Sequence, residues 1–158
     1  MAINKVYSRR ALKGIIAKLK RKGKTIVFTN GCFDIVHAGH IKLFEKARAQ
    51  GDALVVAINS DRSLKKLKGP KRPLVSQANR ARVISALECV DYVAVFGEPT
   101  PAEIISELKP DILVKGGDYE IREIVGREDV RKVVRVPLLK GQSTSGLIKL
   151  IVSRYGKC

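Results

Sequence analysis

The sequence predicts an α/β fold, a parallel sheet with helices on both faces, and three observations carry that prediction. Short runs such as Thr25-Ile26-Val27-Phe28-Thr29 and Ala53-Leu54-Val55-Val56-Ala57-Ile58 are continuously apolar and rich in β-branched residues, as strands buried on both faces are. Between such runs apolar residues recur at helical spacing, as Ile41, Leu43, Phe44 and Ala47 do. The two patterns alternate along the chain, which is the βαβ rhythm of a parallel sheet.

The elements follow in order. A first helix is expected over about Ser8 to Arg21, then a strand at Ile26 and a helix from Gly39 to Ala49. Ala53 to Ile58 gives the second strand. A basic loop follows, Leu64-Lys65-Lys66-Leu67-Lys68-Gly69-Pro70-Lys71-Arg72, and then a helix over Gln77 to Leu87 and a strand over Tyr92 to Val95. Pro101 to Leu108 reads as a helix with Thr100 as its N-cap and Pro101 at its first position, since proline lacks an N–H that would be free there anyway. Ile112-Leu113-Val114 is the fourth strand, Val133 to Val136 a shorter fifth, and Ser143 to Arg154 the closing helix.

A length of 158 residues suits one domain, 1–158, with an N-terminal helix over about 8–21 and an α/β core over about 23–155. No apolar run is long enough to span a membrane, and neither a signal-peptide pattern nor an internal repeat is evident. Three scattered cysteines, Cys32, Cys89 and Cys158, do not make a disulfide framework and suit reduced thiols in the cytoplasm. Thirty-one Lys and Arg against 15 Asp and Glu give a formal charge of +16, which raises a basic nucleic-acid-binding module as a rival function. Aromatic residues make up only 5% of the chain, with no Trp to stack on bases, and no recognised RNA or DNA motif appears.

The most informative stretch is Asn30-Gly31-Cys32-Phe33-Asp34-Ile35-Val36-His37-Ala38-Gly39-His40-Ile41-Lys42, where a strand delivers the chain through a glycine turn into a helix start. Free N–H groups and the positive end of the helix dipole suit polyphosphate there, and Gly31 and Gly39 let backbone approach closely. His37 and His40 are the chain's only histidines, and each can donate a ring N–H to oxygens on a phosphorus under attack, with Lys42 adding positive charge. Zinc does not suit this pair, because no further His and no paired Cys lies nearby. Cys32 reads as a small side chain in a tight turn rather than as a nucleophile. Ligands of open α/β sheets sit beyond the carboxyl ends of the strands, where strand order reverses. Asn30, Asn59 to Asp61, Lys115 to Tyr119 and Gly141 to Ser145 all follow strands in that way.

Gly31-Cys32-Phe33-Asp34 followed by His37-Ala38-Gly39-His40 resembles the signature of the H-x-G-H nucleotidyltransferases. Asn59-Ser60-Asp61, Leu67-Lys68-Gly69-Pro70, Arg72-Pro73, Asn79-Arg80-Ala81, Ala86 to Asp91, Lys115-Gly116-Gly117-Asp118-Tyr119 and Ser143-Thr144 further resemble the adenylyltransferase half of the bifunctional heptose kinase/adenylyltransferases. The likeness runs from about Gly23 to Ile151. It implies a Rossmann-like nucleotidyltransferase domain that moves the adenylyl group of ATP onto a heptose 1-phosphate, with the kinase on a separate protein. Cytidylyl transfer to glycerol 3-phosphate and FAD synthesis are the alternatives within the superfamily.

By the same resemblance, His37, His40 and Lys42 are catalytic. Asn30, Gly31, Cys32, Phe33, Asp34, Gly39 and Arg80 bind the nucleotide, together with the loop Lys115, Gly116, Gly117 and Asp118 and the helix start Ser143, Thr144 and Ser145. Ser145 departs from the Ser-Thr-Thr of relatives but keeps a hydroxyl. Asp61 and Lys68 face the acceptor. The resemblance also implies Mg²⁺ held mainly by the ATP phosphates with no named protein ligand, a homodimer, and no membrane partner.

Overall fold

The computed structural model describes residues 4–117 and 120–156. Five parallel strands form one sheet in the order β3-β2-β1-β4-β5, with β1 Ile26–Gly31, β2 Ala53–Asn59, β3 Tyr92–Phe96, β4 Ile112–Gly116 and β5 Lys132–Val136. The order reverses between β1 and β4, which are hydrogen-bonded neighbours through Val27↔Ile112 and Phe28↔Leu113. This is the Rossmann-like arrangement expected from the sequence, and the reversal marks the crevice where such sheets take ligands.

Alternate residues of each strand point to opposite faces, so one apolar run feeds two cores. Val27, Leu54, Val56, Ile58 and Val114 face Leu43, Phe44 and Ala47 of α2 (Ala38–Arg48) and Ala81 and Ile84 of α4 (Gln77–Ser85). Ile26, Phe28, Val55, Ala57 and Leu113 face Leu12 and Ile16 of α1 (Arg9–Arg21) and Ile104, Ile105 and Leu108 of α5 (Ala102–Leu108). All seven residues of β2 are buried, which is why that segment tolerates no polar residue before Asn59.

Two expectations are corrected. The basic stretch after β2 is not all loop: Asp61–Lys68 forms a helix, α3, started by the Ser60 hydroxyl accepting from the Ser63 N–H and anchored by buried Leu64. Its lysines crowd the last turn, where they complement the negative end of the helix dipole. At α5, Pro101 itself takes the N-cap position and no side chain caps the helix, while the Thr100 hydroxyl stands 3.5 Å from the Ala102 nitrogen. The last helix, α6 (Thr144–Tyr155), starts where the sequence placed it, with Ser143 as its N-cap. Among the described residues no helix is long and apolar enough to cross a membrane.

Candidate functional site

β1 ends in a turn that is shaped by one aromatic ring. Phe33 adopts a left-handed backbone with φ 45°, and its ring folds over Gly31, where a Cβ would lie only 2.8 Å away. Glycine is therefore demanded at position 31 by contact rather than by flexibility. Edge-on packing of Phe33 against Phe44 and against His40, each at 5.0 Å between ring centroids, seats the histidine on the hydrophobic core.

The start of α2 orients the other histidine. His37 is the N-cap, and its Nδ1 accepts the Gly39 N–H at 3.2 Å, so the ring proton resides on Nε2. A Cβ at position 39 would stand 3.0 Å from that ring and would press it out of its place, so glycine suits the position. His37 and His40 stack at 3.8 Å with an interplanar angle of 22°. Burial and the neighbouring His37 press the His40 imidazole down to about 4, and burial also lowers His37. Both rings are thus neutral near pH 7, and each presents one N–H donor without the cost of bringing two cations together. The Nδ1 of His40 is buried and has no hydrogen-bond partner among the described residues.

These rings open onto a cleft of about 580 Å³ at the carboxyl ends of the strands. The start of α6 faces the same cleft: the Ser143 hydroxyl accepts from the Gly146 N–H at 3.0 Å, and the Thr144 hydroxyl is 3.5 Å from the Ile35 carbonyl of the β1–α2 turn. Two helix N-termini therefore converge on one space. Across the β1–β4 seam the Lys115 ammonium donates to Asn30 Oδ1 at 2.6 Å. Burial lowers Lys115 to about 8, and no carboxylate pairs with it among the described residues. Cys32 lies in the same wall with its Sγ 3.7 Å from Asn59 Oδ1, and burial raises its pKa, which leaves an unreactive thiol.

The expected residues divide into two groups. Asn30, Gly31, Cys32, Phe33, Gly39, both histidines, Lys68, Lys115, Gly116 and Ser143 to Ser145 all border the cleft. Asp34 borders it too, but its carboxylate is turned away onto the α3–α4 link. Arg80, expected to grip a phosphate, is 1% exposed and spends its guanidinium internally. It donates to the Val75, Cys32 and Asn59 carbonyls at 3.0, 2.6 and 2.8 Å and to Asp61 Oδ1 at 2.8 Å. That pairing also takes Asp61 out of the acceptor wall. Lys42 lies two residues beyond His40 on α2, on a face that does not border the cleft. Gly117 donates to the Val136 carbonyl and is likewise outside the lining, while Asp118 lies outside the described residues.

Asn59, Arg72 and Gln142 also border the cleft, as their places after β2, in the basic loop and before α6 led one to expect, and so does an apolar flank of Ile124, Leu138 and Leu139 to which the sequence assigned no role. The apolar flank left no signal, because isolated leucines in a loop look like any others.

Comparison with known proteins supports a family. A model of the cytidylyltransferase-like family matches residues 28–150. The bifunctional protein HldE of Syntrophotalea carbinolica is 49% identical over 156 residues, covering 96% of this chain and 32% of that protein. Its counterpart in Geobacter sulfurreducens is 50% identical over 157 residues, covering 97% and 32%. The chain thus spans about a third of the length of the curated relatives it matches. Among solved structures, the lipopolysaccharide core biosynthesis protein from Thermoplasma volcanium is similar with a TM-score of 0.65 and 29% identity, over 75% of this chain and 100% of that one.

Proposed function

The chain belongs to the cytidylyltransferase-like family and is a nucleotidyltransferase, and from that premise we propose that it transfers the adenylyl group of ATP to D-glycero-β-D-manno-heptose 1-phosphate, releasing pyrophosphate and ADP-heptose. The observation that carries the chemistry is the convergence of two stacked neutral histidines and two helix N-termini on one cleft. The choice of heptose 1-phosphate as acceptor rests on the motif resemblance to the heptose kinase/adenylyltransferases, and the relatives named bifunctional protein HldE support it.

In this reading the acceptor phosphate attacks the α-phosphorus of ATP in line and pyrophosphate departs. His37 and His40 donate N–H bonds to oxygens whose charge grows in the transition state, and they need not reorganise to do so. Ser143 to Ser145 hold the leaving pyrophosphate at the start of α6, and Lys115 and Asn30 line the floor beneath the phosphates. Lys68 faces the acceptor. Mg²⁺ would be carried chiefly by ATP oxygens, since this hard cation prefers oxygen ligands and needs few from the protein. Bound there, Mg²⁺ would supply charge neutralisation along the triphosphate. As an ATP-consuming enzyme it would work in the cytoplasm, and by resemblance as a homodimer.

Lys115 gives this reading a pH signature. The lysine binds phosphate best when charged, and in the free cleft it titrates at about 8 beside neutral Asn30 and Cys32. A bound anion raises it, so binding above that pH must draw in a proton. The KM for ATP is expected to be flat below pH 7 and to climb toward about ten-fold per pH unit above 8. A profile from pH 6 to 9.5 tests this, and Lys115→Met should flatten it.

The substrate is tested by pyrophosphate release with Mg²⁺, pairing ATP or CTP with heptose 1-phosphate, glycerol 3-phosphate or FMN and weighing the products by mass spectrometry. Release with ATP and heptose 1-phosphate alone is the expected result. Release with another pair would keep the chemistry and move the substrate, and no release from any pair would favour a basic binding module.

A further inference from the structure

The mechanism above leaves one buried ion pair unused. The Asp34 carboxylate is 4% exposed, and it accepts from Arg72 Nη1 at 2.5 Å, from the Leu74 N–H at 2.9 and 3.1 Å, and from the Val75 N–H at 2.9 Å. Both of its oxygens are therefore committed to the link between α3 and α4, some 40 residues away in sequence. A carboxylate held so fully by donors is a fixture, and what it fixes is the guanidinium of Arg72.

That guanidinium is mostly buried, with 16% of its side chain exposed, and it borders the cleft. Among the described residues only Nη1 has a partner, which leaves Nε and Nη2 as donors available to a ligand in a rigid plane. Lys68, on the last turn of α3, borders the same wall and has no ion-pair partner among the described residues. Both residues belong to α3 and the segment after it, which follow β2 on the other side of β1 from β4, and this puts the cationic wall on the α3 side of the β1 turn. The start of α6 and Lys115 lie toward β4, on the other side of β1. In-line displacement needs the entering oxygen opposite the leaving one. With pyrophosphate leaving at α6, the entering phosphate belongs on the α3 side.

We propose that Arg72 binds the phosphate of the acceptor and that Asp34 is the positioning residue that orients it, an inference that rests on the nucleotidyl-transfer reading of the cleft. A carboxylate behind an arginine sets the direction of its donors, as outer-shell partners do for other ligating groups. The pair also explains why an otherwise solvent-seeking loop is drawn down onto the site.

Steady-state kinetics with acceptor and ATP varied separately test this. Arg72→Gln is expected to raise the acceptor KM by about 10- to 100-fold, the effect of losing a charged hydrogen bond, with the ATP KM within about two-fold of wild type. Arg72→Lys should recover part of that loss, since it restores charge without the fork. Asp34→Asn should raise the acceptor KM in the same direction. Thermal unfolding of each variant accompanies the kinetics, and if Asp34→Asn fails to fold, the Arg72 variants decide alone. An active wild type whose Arg72→Gln variant keeps its acceptor KM, or loses ATP and acceptor affinity equally, would overturn this inference and spare the transfer reading. A wild type that releases no pyrophosphate with any acceptor would overturn both.

Discussion

Replacing His40 with alanine is expected to slow turnover by ~100-fold or more, the usual effect of removing one preorganised donor from a charge-stabilising site. The expectation depends on the ring being a neutral donor held in place. Phe33 packs edge-on at 5.0 Å and His37 stacks at 3.8 Å, so His40 has little freedom to lose when the transition state forms. Its depressed pKa, about 4, keeps it from carrying charge in the working range, and the loss should therefore appear in kcat across neutral pH rather than as a shifted pH optimum. The alanine variant should remain folded, since the core contacts of Phe33 with Phe44 persist. His37→Ala tests something broader, because His37 also caps α2, and about 1 kcal/mol of helix stability goes with the cap. A His40→Ala enzyme with a near wild-type steady-state rate would remove the histidine pair from the mechanism.

Arg80→Ala should instead act on stability. The guanidinium bridges the turn after β1, the end of β2 and the entry to α4, and its loss leaves the Val75, Cys32 and Asn59 carbonyls without their donor. At about 1 to 3 kcal/mol for each buried group left unsatisfied, the variant should lose at least ~3 kcal/mol. For a domain of this size that lowers the melting temperature by roughly 6 to 12 °C. Calorimetry or circular dichroism reads this directly. An unchanged melting temperature with a raised KM for ATP would restore the expectation that Arg80 holds a phosphate.

Arg80 also illustrates where sequence reasoning stops. The motif around it was visible, and so was its link to the site, but its partners are main-chain carbonyls, which leave no trace in side-chain identity. Asp34 is similar: its position in the glycine turn suggested a ligand contact, whereas its donors come from a segment 40 residues away. Strands were legible because burial on both faces demands unbroken apolar runs, and β2 met that demand at every position. Helix α3 was hidden by composition, since only Leu64 and Leu67 mark its apolar side among lysines, although Ser60 in N-cap position was an available signal. The placement of the histidine pair was legible, because local spacing at one strand-to-helix junction brings the two rings together at the cleft. The apolar flank formed by Ile124 and Leu138 was not, because only tertiary folding brings it to the cleft.

The seam between β1 and β4 carries one more consequence. Asn30 and Lys115 face each other there from positions 85 residues apart, and the histidine turn meets the Ser143 helix start across a still longer stretch of chain. Contacts that distant form slowly, since a large loop must close before any of them contributes. During synthesis β1, β2 and β3 can pair as they emerge, yet the cleft does not exist until β4, β5 and α6 have docked against them. Nucleotide can therefore bind only the completed molecule, and its presence favours the last step of assembly by mass action rather than guiding the earlier ones.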